Sequence, residues 1–112
     1  MAKTRPTTEA EWHRWFAANL FNSTWKLILK KRRTKEDDDA MIQMAHASRY
    51  HWGVVGGPQE ISIGEWQISR VYALLNRPEP SLYHAQRCLE VCEVGRIGDF
   101  PRAQGLLGQV IR

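Results

Sequence analysis

The chain has no apolar run approaching the roughly 20 residues that a bilayer-spanning helix needs, its longest runs being a few residues. Nor does its beginning, MAKTRPTTEAEW, carry the apolar core of a secretory signal. The expected location is therefore cytoplasmic. Cysteine is scarce: only Cys88 and Cys92 occur, four apart on what reads as one helix. A disulfide between them would strain that helix, and two cysteines without a second pair make a poor zinc site, so they read as buried thiols. The common catalytic signatures are missing too. There is no GxSxG, no Walker phosphate loop and no Rossmann glycine pattern. The run GVVGG at 53 to 57 lacks the lysine and the strand context of a phosphate cradle. No enzyme class and no cofactor is implied.

What is present is ordinary globular material, 43% apolar and 25% charged over 112 residues. That length suits one domain whose core is marginal, helped by five tryptophans that can each bury about 150 to 250 Å². The formal charge of +4 admits an acidic partner without requiring one. Much of the excess sits in Lys30-Lys31-Arg32-Arg33, but Glu36-Asp37-Asp38-Asp39 follows almost at once. The basic run falls at the carboxyl end of one helix and the acidic run at the amino end of the next, the signs that helix dipoles favour. The two runs therefore read as helix-end charge, with nucleic-acid binding through the 26–35 basic run as the lesser alternative.

Periodicity predicts helices throughout. Thr8 and Glu11 form a capping-box pattern that starts a helix near Glu9, running to about Lys31. Its stripe of Trp12, Trp15, Phe16, Leu20, Phe21, Trp25, Ile28 and Leu29 is broad enough to meet more than one neighbour, and its aromatics are expected to be buried. Asn19 and Asn22 interrupt that stripe and should be either anchored or solvent-facing. Thr34 can cap a second helix from about Lys35 to Trp52, with Met41, Met44, Ala45, Ser48 and Trp52 inward. Gly56, Gly57 and Pro58 then break the pattern. A third helix is expected from Pro58 to Asn76, weakened in its first turns by Gly64.

The stretch from Gly64 to Glu93 reads as two helices hinged at Asn76-Arg77-Pro78-Glu79-Pro80. Ile68, Val71, Tyr72 and Leu75 share one face, and Leu82, Ala85, Leu89 and Cys92 another. The prolines stop the first helix, and the second can begin at Pro80. Ser69, Ser81, Ala85 and Cys88 are small where two antiparallel helices would approach closely. The unit from about Ser62 to Gly95 resembles a tetratricopeptide repeat, with Ser69, Tyr72, Ser81 and Cys88 at that family's small and aromatic positions. It departs from the pattern at Glu65, which stands where the early tryptophan belongs and is followed by Trp66. Asn76 stands where a glycine precedes the turn, and no proline closes the unit. The longer run from Ala45 to Glu93 is similar to a family of uncharacterised bacterial proteins with a tetratricopeptide-like region, which carries no assigned activity.

The resemblance implies a single all-α domain of about five helices in antiparallel pairs, a helical repeat forming a right-handed superhelix. Residues 8–53 make the first pair, 58–95 the hairpin, and 99–112 an unpaired last helix, roughly Pro101 to Ile111. With no second half to that last pair, either self-association covers the helix, as in a homodimer, or the sequence is short relative to its relatives. In such solenoids the first helix of each pair lines the concave wall, which implies Ile63, Trp66, Arg70, Ala73 and Arg77 as binding residues. Trp66 and Arg70, four apart, are types enriched in binding hot spots and suit an extended peptide or an acidic terminus. The bland alternative makes Trp66 core and Arg70 a surface residue, or one paired with Glu65 or Glu93. The expected function is non-catalytic binding of a protein, a peptide or a second copy, with no membrane. The enzyme alternative is a metal site or hydrolase built from His13, His46, His51 and His84, with Glu65 or Glu11 as a further metal ligand. The five-residue step from His46 to His51 points them apart on a helix and weakens it.

Overall fold

The computed structural model describes residues 5 to 96, and these form four helices: α1 (Glu9–Ile28), α2 (Lys35–Val55), α3 (Pro58–Leu74) and α4 (Pro78–Gly95). No strand occurs among the described residues. The expected last helix lies outside them, so the fold on view is all-helical with four helices where about five were expected. α1 packs along α2 and α3 along α4, while α2 joins the two pairs through α3 and α1 only grazes α3.

Local chemistry sets most of the boundaries. Thr8 accepts from the Glu11 amide while Glu11 turns back to the Thr8 amide, and Thr34 and Asp37 repeat the arrangement at the start of α2. α1 ends at Ile28, a few residues before the expected Lys31. A tight turn closes from Lys30 N to Leu27 O, and the Lys30 ammonium reaches forward to Asp37 at 2.7 Å. Arg33 pairs likewise with Asp38 at 2.9 Å, so part of the basic run is neutralised by the acidic run that follows it. α2 outlasts its expected end at Trp52 and takes in Gly53, Val54 and Val55 before Gly56 becomes its C-cap. Asn76 adopts a left-handed φ of 63° and ends the third helix. The fourth starts at Pro78 rather than Pro80. Both prolines fit the first turn because the amides there have no intrahelical acceptor to lose.

The core gathers Ile28, Met41, Ala45, Ile68 and Val71, with Trp25, Leu27, Ile42, Tyr72, Leu74 and Leu75 half-buried around it. Burying an Ile, Met or Val side chain is worth about 1.5 to 3 kcal/mol. The small residues of the hairpin do what their spacing implied. Ser69, Ser81, Ala85 and Cys88 are all buried. The Ser69 hydroxyl donates to the Ser81 carbonyl at 2.8 Å, and Ser81 returns the bond to the Ser69 carbonyl at 3.0 Å, stapling α3 to the first turn of α4. Both cysteines are buried and neither is in a disulfide, and burial with the adjacent Cys92 pushes the Cys88 thiol up to about 12. The aromatic start of α1 departs from expectation. Trp12, Trp15 and Phe16 form an edge-to-face cluster that remains 36 to 40% exposed, because only the later part of α1 has α3 beside it. Among the described residues no helix is long and apolar enough to cross a membrane.

Candidate functional site

Two adjoining cavities open along α1, one reaching α3 and the other bounded by the segment before α1, α1 itself and Trp52 of α2. One, of about 230 Å³, is lined by Ala18, Phe21 and Asn22 of α1, Trp52 of α2, and Glu60 and Ile63 of α3. The other, of about 500 Å³, runs along the start of α1 past Arg14, Trp15, Ala18 and Asn19, and again uses Trp52. Ala18 and Trp52 belong to both, so the two form one groove with the indole of Trp52 at its centre. Arg14 sits 5.6 Å from the centre of that indole ring and donates to the Val55 carbonyl at 3.2 Å, which holds the ring in place. The asparagines stay polar and exposed, Asn19 donating to the Trp15 carbonyl at 2.8 Å. Trp52 was expected only as an inward residue of α2, and nothing in its spacing distinguishes a groove floor from core.

The five residues singled out by their helical register divide along the chain. Ile63 lines the groove. Trp66 is half-buried against Trp25, with ring centres 5.4 Å apart, and its indole N–H has no hydrogen-bond partner among the described residues. Arg70 and Ala73 are partly exposed on the same stripe of α3, and Arg70 makes no ion pair among the described residues. Neither of its sequence-expected partners engages it, since Glu65 is taken by other groups. Arg77 lies beyond the end of α3 as the N-cap of α4 and is exposed, so the stripe stops at Ala73. The groove's carboxylates are committed: Glu11 caps Thr8, and Glu60 accepts from the Gly57 amide at 2.8 Å.

The histidines fall into two separate pairs. His13 and His51 meet Nδ1 to Nδ1 at 2.8 Å between α1 and α2, an arrangement in which one ring donates and the other accepts. Phe16 stacks on His51. Burial, followed by the nearby His13, holds His51 below the ordinary histidine range. His46 and His84 lie with ring centres 5.4 Å apart. The first bonds the Tyr72 hydroxyl at 2.9 Å, and the second donates its Nδ1 proton to Glu65 at 2.7 Å. No three His, Cys, Asp or Glu side chains among the described residues are grouped to hold a metal ion.

Sequence reasoning missed the network around Glu65. This carboxylate is only 5% exposed, and accepts from Arg49 Nε at 2.8 Å as well as from His84. Burial pushes the pKa of this carboxyl upward, but the hydrogen bonds and charges of His84 and Arg49 outweigh it and hold the group below its ordinary value. His46 beside it is held low first by burial and then by His84, with Glu65 opposing. α2, α3 and α4 thus meet through one buried, satisfied polar cluster. The sequence signals were an acid standing where a repeat would carry an aromatic, and its grouping with the histidines as metal ligands rather than as hydrogen-bond partners. The arginine and histidine that answer it are 16 residues before and 19 residues after. Compared with family models, curated proteins and solved structures, the chain matches none of them.

Proposed function

We propose that the chain is a non-catalytic binding module that takes an extended, acidic peptide into the groove that runs along α1 and opens onto α3. The observation that carries this reading is the continuity of the groove. Two cavities share Ala18 and Trp52, and Ile63 continues their wall along α3. α1 and α3 are the first helices of the two antiparallel pairs. In a tetratricopeptide-like right-handed superhelix those helices make the inner wall, so the resemblance and the groove point to the same surface. The smaller cavity is below the roughly 300 to 1,000 Å³ of a typical small-molecule site, which suits a single apolar side chain of a peptide. Among the described residues the guanidinium of Arg70 makes no ion pair, while Glu11 and Glu60 are occupied by caps, which favours negative charge on the partner.

Peptide display on the immobilised chain tests the proposal. Peptides that pair an aromatic or leucine anchor with acidic neighbours should be enriched. Ile63→Asp and Arg70→Ala should each weaken the selected peptide by about tenfold or more, a loss of about 1.4 kcal/mol, with little change in melting temperature. Enriched peptides indifferent to both substitutions would overturn the reading. Loss of fold in Arg70→Ala would assign that residue to structure instead.

A further inference from the structure

A third cavity, of about 430 Å³, shares no residue with the groove. It lies where the end of α2, the start of α3 and the outer face of α4 converge. Its walls divide by chemistry. Ile61, Val91 and Val94 provide an apolar side, and Arg49 and Arg87 bring two guanidinium groups.

Arg49 is held in an unusual way for a surface-reaching arginine. Its Nε is bound by the buried carboxylate of Glu65, and its side chain is 23% exposed. A Cβ added at Gly64 would meet its Cδ at 3.2 Å, and one added at Gly53 would meet Nη1 at 2.9 Å. Two glycines therefore leave room for this one side chain, and Glu65 fixes its direction from below. An arginine has five N–H donors, and only the one on Nε is used here among the described residues. The planar end of the guanidinium, the part that matches a carboxylate in a two-bond fork, is left free in a side chain that lines the cavity. Arg87 is tied more loosely, by Nη1 to Glu90 of its own helix at 2.8 Å, an exposed pair that a competing anion can displace.

We propose that this cavity is a binding site for a small monocarboxylate carrying a short apolar chain. Its carboxylate takes the free fork of Arg49 with Arg87 beside it, and its chain lies along Ile61, Val91 and Val94. Glu90 is the built-in competitor for Arg87. A simple anion without a chain leaves the apolar wall unused, and a neutral chain leaves the arginines unused. A volume of 430 Å³ falls at the small end of ligand sites, which limits the chain to medium length.

Octanoate is the probe, titrated into the full chain and followed by calorimetry and by the methyl resonances of Ile61, Val91 and Val94. A saturable site with a dissociation constant of roughly 0.1 to 1 mM is expected for a ligand of this size. Octanol and inorganic phosphate should each bind at least about tenfold more weakly. Arg49→Gln risks the fold because it strips Glu65, so the charge test is placed on α4. Arg87→Gln should weaken octanoate about fivefold, and Glu90→Gln should tighten it by freeing Arg87, both with the melting temperature nearly unchanged. Val94→Asp, at an 87% exposed position on the rim, should weaken it as well. The proposal fails if octanoate shows no saturable binding in that range, or if octanol or phosphate binds as well as octanoate. It fails equally if the Arg87 and Glu90 variants do not move the affinity in opposite directions.

Discussion

Glu65 is the side chain whose removal should cost this fold most for its size. It sits 5% exposed in the middle of α3, with one oxygen on Arg49 of α2 and the other on His84 of α4. Each hydrogen bond to a charged group is worth about 1.5 to 3 kcal/mol. Replacing the carboxylate by leucine removes both and leaves the His84 Nδ1 proton buried without an acceptor. Arg49 loses less, because its exposed end can find water. Set against the desolvation that Glu65 itself no longer suffers, Glu65→Leu should cost about 3 kcal/mol, the low end of the range for breaking a buried ion pair. In a domain of about 100 residues that lowers the melting temperature by roughly 12 to 24 °C. Glu65→Gln keeps the shape, and a changed His84 tautomer can accept from the new amide, so about 1 to 2 kcal/mol should be lost.

The assay is urea unfolding followed by circular dichroism, repeated over acid pH. Because the folded carboxyl is held below its ordinary value of 4.5, its contribution is fully present above that pH and is lost as pH falls through the lower, folded value. The gap between wild type and Glu65→Gln should therefore be widest near neutrality and close in strong acid. A Gln variant as stable as wild type near neutrality would refute the account. So would a gap that stays constant into strong acid, because shape rather than charge would then be responsible.

Two further outcomes follow from the same contacts. His46, which faces His84, Tyr72 and Glu65, and His51, which faces His13, Phe16 and Tyr50, are both held below 6.5, so the unfolded chain takes up their protons first. Stability from these two groups is complete above pH 6.5 and erodes as pH falls below it. Urea midpoints should drop between about pH 7.5 and pH 5, and a flat or rising midpoint counts against the buried pairs. The glycines around Arg49 should respond oppositely to alanine. Gly64→Ala gains about 1 kcal/mol of helix propensity but crowds the fixed stem of Arg49, so a net loss of about 1 kcal/mol is expected in denaturant melts. Gly53→Ala meets only the movable tip, so it should be neutral or stabilising by up to about 1 kcal/mol; a loss there as large as at Gly64 would mean the tip is as fixed as the stem.

Helix positions were legible because caps, breakers and periodicity act over a few residues. Thr8 with Glu11, Thr34 at the start of α2, the glycine pair before Pro58 and the proline pair before Ser81 each carry their own physical reason. The close approach at Ser69 and Ser81 was visible as small side chains at the right spacing, and the two thiols as buried groups without a second pair. Even here the turn chemistry shifted two boundaries. Lys30 left the helix to reach Asp37, and Pro78 entered one because its missing donor costs nothing in a first turn.

What the tertiary structure alone decided is which polar and aromatic residues meet. An amphipathic stripe says that Trp12, Trp15 and Phe16 lie on one side of α1, but not that the neighbouring helix falls short of them. Likewise Trp52 reads as an inward residue, and only the gap left between α1 and α3, which barely touch, turns it into the floor of a groove. Arg49, Glu65 and His84 come from three helices, and no spacing rule links residues so far apart in the chain. Burial creates their mutual need: once Glu65 is taken from water its carboxylate must find donors, and the packing angle of the helices determines which ones are within 3 Å.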